Sequence, residues 1–133
     1  MNSLKGQICD ILNKDDIVLV KLACNDEIFS VLMLDLSSLN KLKKNQSIEL
    51  IFKENELCFG SLTSSLSIGN SFEAKITKII QGELLTQVFF DFKGSEISSI
   101  ISKEKALNLK LSEGQIWLCF IAETNIILRT NYA

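Results

Sequence analysis

Asn2-Ser3-Leu4-Lys5-Gly6-Gln7-Ile8 returns later in the chain as Asn70-Ser71-Phe72-Glu73-Ala74-Lys75-Ile76, and Ile11 is matched by Ile79 at the same spacing of 68 residues. A repeat at fixed spacing means that each copy is one structural unit, and it governs every later step of the reading. Two further stretches align at a spacing of 69: Asp26-Glu27-Ile28-Phe29-Ser30-Val31 with Ser95-Glu96-Ile97-Ser98-Ser99-Ile100, and Leu42-Lys43-Lys44-Asn45-Gln46 with Leu111-Ser112-Glu113-Gly114-Gln115. The step from 68 to 69 puts one extra residue in the second copy, expected near Phe92-Lys93-Gly94 as a turn or bulge. The 133 residues therefore divide into two units, 1–60 and 67–133, joined by a linker from Ser61 to Leu66.

Within the first copy, residues 3–13, 17–23, 27–33, 47–53 and 56–60 are rich in Ile, Val, Leu and Phe, and polar clusters such as Asn13-Lys14-Asp15-Asp16 separate them. These read as five short strands parted by turns. The second copy gives strands at 70–80, 83–92, 95–101, 115–121 and 125–130. Between the third and fourth strand of each copy lies a segment of another kind, Ser37-Ser38-Leu39-Asn40-Lys41-Leu42 and Ser102-Lys103-Glu104-Lys105-Ala106-Leu107-Asn108-Leu109, and both read as short helices. Five strands with a helix after the third is the layout of an OB-like Greek-key barrel, so the chain is expected to be all-β, two tandem five-stranded barrels. A unit this small has a modest core and open strand edges, so exchange of strands between the copies, or oligomerisation, is expected.

Composition removes several functions. The chain has no His, no Pro and a single Arg, Arg129, with 14 Lys plus Arg against 16 Asp plus Glu and 47% hydrophobic residues. Without His there is no imidazole base, no His-dependent nucleophile and no His-containing zinc site. A net charge of −2 with one Arg lacks the basic stripe that duplex nucleic acid requires. No apolar run approaches a membrane span and the first residues do not form a leader, so the expected location is the cytoplasm. The four cysteines, Cys9, Cys24, Cys58 and Cys119, show no Cys-x-x-Cys spacing and read as buried free thiols. The aromatic residues, including adjacent Phe89 and Phe90, read as core rather than as a stacking platform for bases.

Asn2-Ser3-Leu4-Lys5-Gly6 and Ser67-Ile68-Gly69-Asn70 open the two copies, Leu32-Met33-Leu34-Asp35-Leu36 and Ile101-Ser102-Lys103-Glu104-Lys105 lead into the two short helices, and Lys53 and Ala122 close the two fourth strands. In these places the chain resembles the di-Mop proteins, two consecutive TOBE (molybdopterin-binding, or Mop) modules. Such modules occur in small cytoplasmic molybdate-binding proteins and in the C-terminal half of molybdate-responsive transcription regulators. The resemblance covers essentially the whole chain. It implies binding of molybdate or tungstate at subunit interfaces, in a trimer or dimer of di-Mop chains, by hydroxyls, backbone amides and a Lys or Arg. Gly69 stands at the family's Arg position, and the Thr and Ser positions are Met33 and Leu36 in the first copy but Ser102 and Lys105 in the second. One composite ligand set remains: Lys53 from the first copy with Ser67, Ser102 and Lys105 from the second.

The residues alone say something similar about Ser102-Lys103-Glu104-Lys105. Ser at a helix N-cap accepts from a first-turn amide, and free amides beside the positive end of the dipole favour an anion. The corresponding turn of the first copy carries Asp35 without an adjacent cation and is expected to stay empty. Lys5 and Lys75 read as ordinary strand lysines. With no paired carboxylates, nucleophile–base pair or phosphate loop, an enzyme is not expected. The expected function is thus an oxyanion-binding protein for storage, homeostasis or sensing. The alternative is an oligomerisation or regulatory module whose oxyanion sites no longer bind.

Overall fold

The computed structural model describes residues 1–34 and 41–130. In chain order the elements are β1 (Asn2–Lys14), β2 (Ile17–Cys24), β3 (Glu27–Met33), β4 (Ser47–Phe52), a 3-10 turn (Glu54–Glu56), β5 (Cys58–Gly60), β6 (Asn70–Gln81), β7 (Leu85–Phe92), β8 (Ser95–Ser102), α1 (Lys103–Leu109), β9 (Ile116–Ile121) and β10 (Ile127–Thr130). Ten strands and a helix after the eighth stand where the apolar runs put them. The first-copy helix expected over 37–42 falls, for residues 37–40, outside the described residues, as does Asp35; Leu42 is described and is buried in the core.

The strands form two five-stranded antiparallel sheets, ordered β10-β4-β1-β2-β3 and β5-β9-β6-β7-β8. Strand exchange between the copies is present and reciprocal. β5 leaves the first copy to pair with β9, from Cys58↔Phe120 to Gly60↔Leu118. β10 leaves the second to pair with β4, from Ile127↔Ile51 to Thr130↔Ile48. The two copies thereby share one core, in which Phe29 of the first meets Phe72 and Phe92 of the second at centroid distances of 5.4 and 6.0 Å. A small unit with too little apolar surface of its own gains a larger core this way.

Two buried asparagines clamp the copies together by the same geometry. Asn2 donates from Nδ2 to the Ser98 carbonyl and accepts from the Ser98 amide, both at 2.8 Å. Asn70 donates to the Ser30 carbonyl at 2.8 Å and accepts from the Ser30 amide at 2.7 Å. Each carboxamide thus satisfies an edge-strand peptide of the opposite copy, where no ladder partner exists for it.

Both β1 and β6 carry a bulge, between Ile8 and Asp10 and between Ile76 and Lys78. The bulged residues make equivalent contacts, Cys9 Sγ to the Lys21 carbonyl and Thr77 Oγ1 to the Phe89 carbonyl. The hairpin turns also match in length: Asn25 and Asp26 have φ of 49° and 66°, Lys93 and Gly94 have 48° and 96°. Positive φ at both central residues is the type I′ geometry that suits the twist of a two-residue hairpin.

That equality corrects the placement of the extra residue. Val18↔Met33 corresponds to Thr86↔Ile101, so the spacing of 68 holds through the third strand of each copy. It becomes 69 only after the helix segment, where Gln46 Oε1 accepts from Lys43 N and Gln115 Oε1 from Ser112 N. The second copy has its additional residue between Ile101 and Leu111, and the structural counterpart of Ser102 is Leu34. Alignment by residue type slipped by one because Ile28 and Ile97 look alike, although Ile28 faces solvent and Ile97 is buried. In a strand a slip of one residue reverses the face.

All four cysteines are free, but only Cys24 and Cys119 are buried; Cys9 and Cys58 are exposed. An apolar run therefore did not bury every thiol: β1 and β5 alternate faces, and these two fall on the outer one. Phe90 is fully buried, whereas Phe89 lies on the opposite face with the Lys78 ammonium 5.1 Å from its ring centroid.

Candidate oxyanion site

Ser102 is the last residue of β8 and the N-cap of α1, with extended backbone (φ −67°, ψ 146°). Its Oγ accepts the Lys105 amide at 3.1 Å, and the Lys103 amide donates to the Leu84 carbonyl at 2.9 Å. The cap is therefore formed as the sequence implied. It also uses two of the first-turn amides internally, leaving the Glu104 amide for an outside acceptor among the described hydrogen bonds. Beside the cap a cleft of about 470 Å³ is lined by Glu83, Leu84, Ser102, Lys103, Glu104 and Leu107. Lys105 is exposed on the same turn. Two ammonium groups, Lys103 and Lys105, and the Ser102 hydroxyl meet two carboxylates, Glu83 and Glu104, so the formal charges at this end of the helix balance.

Lys53 stands between β4 and the 3-10 turn, exposed, with its amide donating to Glu56 Oε1 at 2.9 Å. It adjoins Phe52, which pairs with Asn2, which in turn holds Ser98 in the middle of β8. Ser102 lies four residues further along that strand, roughly 13 Å away at the usual strand rise. Ser67 occupies an exposed bend just before β6, while Gln81 at the far end of β6 pairs with Thr86, beside the Leu85↔Ser102 pair. A single chain thus brings Ser102 and Lys105 together and holds Ser67 at the opposite end of a 12-residue strand.

One residue near this set carries no sequence signal of its own. Glu123 follows β9, and its carboxylate lies directly over Gly69: a Cβ on Gly69 would sit 2.7 Å from Oε1 and 3.1 Å from Oε2. The Glu123 carbonyl accepts the Leu32 amide at 3.0 Å, which fixes its turn against β3. Its counterpart at the spacing of 69 is Glu54, and that equivalence was the only available hint.

Elsewhere Glu49 and Glu54 each hold an ion pair at 2.9 Å, to Arg129 and to the Met1 amino group. The Ser3 hydroxyl at 2.7 Å and then the Arg129 guanidinium at 2.9 Å hold the Glu49 carboxyl below its ordinary 4.5. Burial pushes the Cys24 thiol up to about 11 and raises Cys119 further. Among the described residues no group of three or more His, Cys, Asp or Glu is placed to hold a metal ion. The helix turn offers a hydroxyl, a backbone amide and two ammonium groups to an anion.

The TOBE domain family matches residues 66–123. A solved structure of the cytoplasmic molybdate-binding protein ModG, a form with molybdate bound, superposes with a TM-score of 0.89 at 20% identity, covering 98% of this chain and 96% of that one. At that identity the likeness is one of fold: two tandem OB-like barrels that exchange strands, with the matched residues 66–123 in the second. A molybdate-binding protein from Sporomusa ovata covers 44% of this chain and 88% of its own length, at 24% identity and a TM-score of 0.43. No curated protein matches the chain in sequence. No helix among the described residues is long and apolar enough to cross a membrane.

Proposed function

We propose that this chain is an intracellular, cytoplasmic oxyanion-binding protein that takes molybdate or tungstate for storage, homeostasis or sensing. The observation that carries the reading is the match of fold over nearly the whole chain to ModG, a protein solved with molybdate bound. The working units are the repeats 1–60 and 67–133, and the ligand set is Lys53, Ser67, Ser102 and Lys105. These residues are spread over separate places in one chain, so the site is completed between copies in a homo-oligomer, a trimer or dimer of di-Mop chains. Binding rather than catalysis is the role, because a cap hydroxyl and ammonium groups bind an oxyanion without activating it.

Titration calorimetry with molybdate, tungstate and sulfate tests this. Saturable heat and a rise in melting temperature with the first two are expected, and their absence at millimolar concentration rejects the reading. Lys53→Ala and Lys105→Ala should each weaken binding about tenfold or more, the worth of a lost charge-assisted hydrogen bond. A second reading, a ligand-free oligomerisation or regulatory module, is favoured by the Glu123 carboxylate over Gly69. It predicts the same oligomer mass with and without molybdate, and no heat.

A further inference from the structure

We propose that Glu123 is a charge filter that weakens the hold of the Ser67 bend on dianions; this rests on the oxyanion reading above and names a residue that tunes it. The carboxylate packs against Gly69, two residues from Ser67, in the space a side chain at position 69 would fill. Its turn is closed by the Asn125 amide on the Ala122 carbonyl at 3.0 Å and tied to β3 through Leu32 at 3.0 Å. No salt bridge or side-chain hydrogen bond among the described residues neutralises it.

The two copies differ here in charge. In the first, the matching Glu54 is paired with the Met1 amino group at 2.9 Å and follows Lys53, so its carboxylate is neutralised. In the second, Glu123 follows Ala122, and the carboxylate stands alone. A doubly charged anion held by the Ser67 bend would meet a fixed negative charge within about 7 Å of chain, a separation at which repulsion is not fully screened. Ser67 therefore contributes little to binding while the Glu123 carboxylate stands beside Gly69.

The test is calorimetry with sodium molybdate on the full chain and four variants. Glu123→Gln keeps the shape that packs on Gly69 and removes the charge. Glu113→Gln removes an equal charge from the exposed Glu113-Gly114 turn ahead of β9, beyond the other end of that strand from Glu123. Ser67→Ala is made alone and with Glu123→Gln. The expected result is binding about tenfold tighter in E123Q, a value within twofold of the parent in E113Q, and loss of the gain in the S67A/E123Q double variant. Affinity in E123Q within twofold of the parent overturns the proposal. So does an equal gain in E113Q, or a gain that survives Ser67→Ala, and in these cases a parent chain that binds molybdate leaves the oxyanion reading standing. No heat from the parent or any variant removes both.

Discussion

Asn2 and Asn70 show how much a single carboxamide can settle in this fold. Each answers both the amide and the carbonyl of one edge peptide in the other copy, so removing either leaves two buried polar groups unpaired. Asn2→Ala and Asn70→Ala should each destabilise by about 3 kcal/mol, read from the urea midpoint at unchanged slope. Thr86 predicts the opposite sign. Its Oγ1 is buried without a partner among the described residues, and the matching position of the first copy is Val18, equally buried. Thr86→Val should stabilise by about 1 kcal/mol, since no desolvated hydroxyl is left unmet. At the thiols, Cys9 and Cys58 should react with a disulfide reagent in the native protein. Cys24, raised to about 11, and Cys119 should react only after denaturation.

β10 completes the sheet of the first barrel at its edge, although it lies at the other end of the chain. Four residues of ladder and the Arg129–Glu49 pair at 2.9 Å hold it on β4. Glu49 has its folded pKa depressed, so its stabilising contribution is complete above the ordinary 4.5 and disappears as pH falls through the lower folded value. The protection factors of the Ile127–Thr130 amides, taken against their intrinsic exchange rates, should therefore fall below pH 4.5, and less steeply when Arg129→Gln and Ser3→Ala have removed the two causes. These elements also show where sequence reading succeeds and where it stops. Strand existence and order were legible because Val18, Val20 and Leu22 alternate with outward residues, and Val88, Phe90 and Phe92 do the same in the second copy. Ser102 as a cap was legible from residue type. Glu123 was not, because its importance lies in a contact with a glycine 54 positions away, and no local pattern encodes that. The extra residue was misplaced for a related reason: similar apolar residues match equally well on either face until pairing fixes which one is inward.

At the scale of the whole molecule, the reciprocal β5 and β10 pairing means that neither barrel has a complete sheet without the other copy. Thermal unfolding should be one transition with calorimetric and van't Hoff enthalpies equal, even though the sequence is two repeats; two resolved transitions would show the copies to be independent. The same pairing makes the covalent link between the halves dispensable once folding is done. A protease site placed among 62–66 and cut in the native protein should yield two fragments that still travel together on a sizing column, at the elution volume of the uncut protein. Each fragment would be held by the strand it has surrendered, as two clasped hooks stay joined after the thread between them is severed.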